Sequence, residues 1–186
     1  MPGSQFKLST RRAAAAGFTM VELMAVVAIV GILALIGSAS YRRFSAHSKT
    51  AEVITMFANI KSAEETFKDE TFRYLGPSAG NIDAYYPANL LPGKQKMNFA
   101  GAGTGADDWQ RLGVQSAGPV LFVYACTAGG PTDTPLVGSG ITIGNWPASV
   151  AGPWYVVKAR ADIHGEGVDT VFVSSSFSGD MYSAND

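Results

Sequence analysis

The chain has 186 residues, with 14 basic against 15 acidic side chains and a net charge of −1; 47% are hydrophobic and only 16% charged. That length suits one globular domain with an appended segment. The near-neutral balance excludes a strongly basic nucleic-acid binder, and the apolar content excludes a disordered chain. A single cysteine, Cys126, excludes an internal disulfide framework and any multi-cysteine metal cluster.

Residues 1–17 carry Lys7, Arg11 and Arg12 and no acid. Between Leu23 and Tyr41 lie 19 residues without a charge, 15 of them apolar. About 20 helical residues cross a hydrocarbon core, so this run is just long enough to span one. It is apolar all round rather than along one stripe, which excludes a surface amphipathic helix. The small residues Ala13 to Gly17 precede the apolar run, whereas a secretory signal places them after it, where Gly37-Ser38-Ala39 offers an alternative cleavage site. Arg42, Arg43 and Lys49 balance the leading cations, so charge bias leaves the orientation open. Glu22 interrupts the apolar sequence near its start. A carboxylate beside hydrocarbon costs a few kcal/mol, so Glu22 either reaches water at the membrane interface or needs a cation, which the residues so far do not name.

The stretch Gly17-Phe18-Thr19-Met20-Val21-Glu22-Leu23-Met24, followed by AVVAIVGILALIG, closely resembles the N-terminal processing signature of type IV pilins and their pseudopilin relatives. The resemblance implies cleavage after Gly17 by an inner-membrane prepilin peptidase and methylation of the new amine of Phe18. It also implies that Glu22 pairs with the Phe18 amine of a neighbouring subunit during assembly. The leader then lies in the cytoplasm. The chain starts as a single-pass inner-membrane protein with its carboxy-terminal domain outside, and ends in a cell-surface pilus. Removing the leader's three cations leaves 11 basic against 15 acidic residues, a net of −4, which argues against DNA capture. Many family members have a proline where this chain has Ala39; here Gly37-Ser38 is the weakest helical point.

From Arg42 to about Leu75 the pattern becomes amphipathic, with 11 charged residues in 34. Val53, Phe57, Ile60, Phe67 and Tyr74 form one helical stripe in which Glu64 occupies a slot. Lys61–Glu65, Glu64–Lys68 and Asp69–Arg73 are i,i+4 pairs of opposite sign. Gly76-Pro77 is a stop signal. The spacing predicts one helix from Phe18 to about Leu75.

Residues 76–153 hold 14 glycines, 8 prolines and seven charges, and read as a long neutral loop. Pro119–Cys126, Trp154–Ala161 and Val168–Ser175 read as strands, the last two joined by a hairpin at residues 162–167, and a short strand follows near Asp180–Ser183. The expected fold is α+β: a long amino-terminal helix packed on an antiparallel sheet of about four strands. The boundaries are a leader at 1–17, a membrane-spanning helix at 18–41, its amphipathic continuation at 42–75 and a sheet domain at 76–186.

Family members often staple the carboxy-terminal loop by a disulfide, which Cys126 alone cannot form; it reads as a buried strand residue. Gly101–Gly105 lacks the pattern of a phosphate loop, and His47 and His164 stand apart. Asp162, Glu166 and Asp169 read as a solvated turn without calcium-loop spacing. Core packing accounts for the aromatic series Phe18, Tyr41, Phe44, Phe57, Phe67, Phe72 and Tyr74. No enzyme, cofactor or metal site follows. The functional expectation is a major or minor pilin that polymerises with itself or other pilins, on a pilus assembly platform, for adhesion or twitching motility. A pseudopilin of a type II secretion system is the alternative.

Overall fold

The computed structural model describes residues 17–88, 92–100 and 103–186, apart from the side chains of residues 39, 42, 43 and 46. The described chain forms α1 (Met20–Thr71), α2 (Ala106–Leu112), β1 (Val123–Gly129), β2 (Trp154–Ala161), β3 (Thr170–Ser175) and β4 (Met181–Ala184). Two compact units divide it, the second being Phe44–Asp186.

Helix α1 runs through Gly37 and Ser38 without a break, and the Ser38 hydroxyl donates to the Leu35 carbonyl (2.9 Å). It stops four residues before the expected end at Leu75. Phe72 takes a left-handed conformation (φ 61°), and its N–H closes on the Lys68 carbonyl (2.7 Å). A left-handed residue after the last turn is an ordinary helix ending, although glycine usually fills it.

Within the second unit the four strands pair antiparallel in sequential order β1-β2-β3-β4. Side-chain alternation sends Tyr124, Cys126, Tyr155, Val157, Ala159 and Phe172 to one face, where Val53, Met56, Phe57 and Ile60 of α1 meet them. Ala125, Trp154, Val156, Val171 and Val173 form a second core on the opposite face. Val137, Ile141, Ile143, Trp146 and Val150 cover that face. The neutral stretch read as loop is therefore a third layer. The indole N–H of Trp146 donates to Pro135 O, and that of Trp154 to Gly130 O. The stretch also contains α2, whose Trp109 and Leu112 are buried.

The second and fourth strands lie where the sequence put them, within a residue. The first begins at Val123 rather than Pro119, for a local reason. The N–H groups of Leu121 and Phe122 donate to the Glu52 carboxylate (2.8 and 3.1 Å), and Val120 pairs outside the sheet with Met97. The amides that would have extended the ladder are taken by a helix side chain.

Three further expectations are corrected. None of the i,i+4 ion pairs is among the salt bridges of the described residues: Lys61 donates to the Ser174 hydroxyl, Lys68 meets Glu65 instead, and Glu64 turns inward. Phe57 is buried and Phe67 half-buried against the core, but Phe18, Tyr41, Phe44 and Phe72 are exposed, so intrachain packing does not account for those four. Asp162 is buried, not solvated; its carboxylate accepts the N–H groups of Gly165, Glu166 and Gly167.

Candidate functional site

The candidate site residues Gly17, Phe18 and Glu22 sit at the start of the described chain; the basic residues Lys7, Arg11 and Arg12 lie outside the described residues. Gly17, Phe18 and Thr19 precede α1 and are exposed, Phe18 at 84%. Thr19 caps the helix. Its Oγ1 accepts the Glu22 N–H (3.2 Å), while the Glu22 Oε2 accepts the Thr19 N–H (2.9 Å) and hydroxyl (2.8 Å). This reciprocal pairing is a capping box, and the pattern T-x-x-E before an apolar run carries its signature in the sequence. Sequence reasoning sought a distant cation for Glu22 and overlooked the partner three residues away. All of Thr19's donation falls on Oε2, so Oε1 keeps free acceptor capacity among the described residues. A carboxylate at this end of a helix also complements the helix dipole.

Beyond the box, twelve large apolar side chains from Met20 to Ile36 are exposed. Leaving each in water rather than burying it costs about 2 kcal/mol, so together they cost on the order of 20 kcal/mol. That exceeds the 5–15 kcal/mol by which a whole domain is stable. Met20–Ser38 is long and apolar enough to cross a membrane, and none of it is buried by the described residues.

In the second unit, three charged clusters hold elements together. Glu52 binds the 121–122 amides and accepts the Tyr124 hydroxyl (3.0 Å). Glu64, fully buried, accepts from Leu75 N–H (2.9 Å), Gly76 N–H (3.3 Å) and the Cys126 thiol (3.4 Å). Burial pushes its pKa up, and the amide donors only partly offset this. Gly76 has φ 61°, and a Cβ there would strike the Ala128 backbone, so the turn that aims its amide requires glycine. The third cluster is Lys158, fully buried, which donates to Asp83 and to Ser139 O (2.6 Å). The Arg160 guanidinium lies 4.5 Å from the centre of the Tyr85 ring beside it. Burial lowers the Lys158 pKa against the pull of Asp83.

Lys94 pairs with Asp162 (3.3 Å) and Arg160 with Asp169 (3.5 Å), while Glu166, His47 and His164 are exposed. Asp162 is thus engaged by backbone amides and a cation, and Asp169 by a cation. Every one of these clusters joins two structural elements.

The family model of the prokaryotic N-terminal methylation motif matches residues 12–38. Over 77 residues the chain is 45% identical to the type IV major pilin protein PilA of Myxococcus xanthus, covering 37% of this chain and 35% of that protein. It is 44% identical over 50 residues to the type IV major fimbrial protein FimA of Dichelobacter nodosus, covering 27% and 32%. With the type IV major pilin protein PilE1 of Neisseria gonorrhoeae it shares 45% over 47 residues, covering 25% and 28%. The chain thus spans about a third of the length of these relatives. No solved structure matches it. In its methylation motif and the long apolar helix that carries it, the chain is similar to type IV major pilins, and that helix precedes a four-stranded antiparallel sheet.

Proposed function

We propose that the chain is a polymerising subunit of a type IV pilus, with residues 1–17 removed as a leader and Phe18 methylated at its new amine. The observation that carries this reading is a methylation motif joined to a helix whose apolar side chains have no cover among the described residues of their own chain. Such a segment is stable in lipid or against copies of itself. In this reading residues 18–41 first span the inner membrane and then enter the filament. Residues 42–75 carry the sheet domain, 76–186, on the outside. The free Oε1 of Glu22 accepts the Phe18 amine of the adjacent copy, which fixes the register. Kinship with named major pilins favours a surface pilus over a secretion pseudopilus.

Mass spectrometry of the membrane-extracted protein should find a mature terminus at methylated Phe18. The Glu22→Ala variant should be cleaved and membrane-resident yet yield at least tenfold fewer surface fibres. An intact leader, or normal fibre yield from Glu22→Ala, would overturn the reading.

A further inference from the structure

Helix α2, the loop after it and residues 98–100 bound a cavity of about 440 Å³. Its floor is aromatic. The Trp109 ring stacks on Tyr86 (centroids 5.6 Å apart, planes 18° apart), and Phe99 meets Trp109 and Tyr86 edge-on (5.5 and 5.1 Å). All three are buried, so packing fixes their positions. The rim is polar: Asn98, Gln110 and Gln115 line it and are exposed. Paired backbone bonds between Met97 and Val120 (2.8 and 2.7 Å) tie its two sides together. Gly113, left-handed at φ 74°, ends α2 between Gln110 and Gln115. No Lys, Arg, Asp or Glu stands among the described lining residues. The indole Nε1 of Trp109 is shielded from solvent and has no hydrogen-bond partner among the described residues. The two other tryptophans, Trp146 and Trp154, both donate to carbonyls, as a buried indole N–H ordinarily does.

We propose that this cavity binds a neutral saccharide. The ligand class follows from three properties of the lining. An aromatic floor takes the apolar C–H face of a sugar ring, while rim amides both donate to its hydroxyls and accept from them. An uncharged lining disfavours phosphates, uronic acids and nucleic acid, whose anions are held by cations. The Trp109 N–H needs an acceptor, and a sugar oxygen supplies one where the described chain does not. Reaching it takes a small displacement of the exposed rim side chains. A purely apolar ligand would leave that N–H unpaired and strip water from the rim amides. The volume lies within the roughly 300–1,000 Å³ of small-molecule sites. The cavity belongs wholly to the Phe44–Asp186 unit, so the inference stands apart from the polymer reading.

The test uses the full chain dispersed in a zwitterionic detergent, because sugar-headed detergents would compete. Galactose, glucose and N-acetylglucosamine are titrated at millimolar concentrations, with glucuronate as the charged counterpart and N-acetylprolinamide as a peptide-like one. The Trp109 indole N–H resonance, assigned through its absence in Trp109→Phe, is followed by nuclear magnetic resonance. At least one of the three sugars should shift it saturably, and glucuronate should bind at least tenfold more weakly. The double variant Asn98→Ala/Gln115→Ala alters exposed rim residues only and should keep wild-type near-ultraviolet circular dichroism. It should bind that sugar at least tenfold more weakly, while Asn145→Ala, on another exposed loop, should change the affinity less than twofold. No saturable shift with any of the three sugars overturns the assignment. So do equal affinity for glucuronate, tighter binding of N-acetylprolinamide, or undiminished binding by the double variant. Fibre yield and the mature terminus are read separately, so their failure overturns the polymer reading alone.

Discussion

Glu64 brings a carboxylate into the core between α1 and β1, and its three donors explain why it is tolerated there. Its pKa is raised chiefly by burial, so the folded state holds the proton more tightly than the unfolded one. Stability from this group is therefore fully present below the ordinary carboxylate pKa and is lost as pH rises through the raised value. Glu64→Gln removes the ionisation and keeps an acceptor oxygen. The variant should match the wild type near pH 4 and exceed it increasingly toward pH 7, as measured by denaturant unfolding in detergent. Glu64→Ala should lose about 2–4 kcal/mol at every pH, because it strands two buried amides. A flat difference between wild type and Glu64→Gln would contradict the assignment. From the sequence, Glu64 was an anomaly in an apolar stripe. Its partners Leu75, Gly76 and Cys126 become neighbours only once α1 has stopped and the chain has turned back.

At the level of elements, α1 is held at its start by a local device and the loop layer by a distant one. Thr19→Ala removes the capping box and should cost about 1 kcal/mol. Hydrogen exchange at the amides of residues 20–23 would then quicken about fivefold, with no change beyond the first turns. The loop layer hangs on Lys158, anchored to Asp83 and to the Ser139 carbonyl. Asp83→Ala leaves a buried ammonium without its counter-charge and should cost about 3 kcal/mol. Limited proteolysis should then cut within residues 130–153 well before the wild type is cut. Long helices and hairpin strands were legible because their signals repeat every few residues, as in Trp154–Ala161. Helix α2 and the third layer were not. Their glycine- and proline-rich sequence has no period, and Ile141, Ile143 and Trp146 find their places only against an existing sheet.

For the whole molecule, the decisive fact is that, among the described residues, every member of both cores follows Phe44. A chain beginning at Phe44 should therefore fold without detergent and melt cooperatively within a few degrees of the full chain. Loss of that cooperative transition would show that residues 20–43 contribute to the fold of the second unit. The motif at Gly17–Glu22 was readable because it is contiguous, whereas the partners of Lys49, Glu52 and Lys61 on the second half of α1 are groups that only the folded sheet domain brings near. Cys126 is free and buried, and Lys158 with Asp83 pins the loops. The sheet domain can thus mature with no oxidising catalyst, and a fibre built from it should keep its shape in thiol-rich or oxygen-free surroundings, where a reductant would loosen a disulfide-stapled surface.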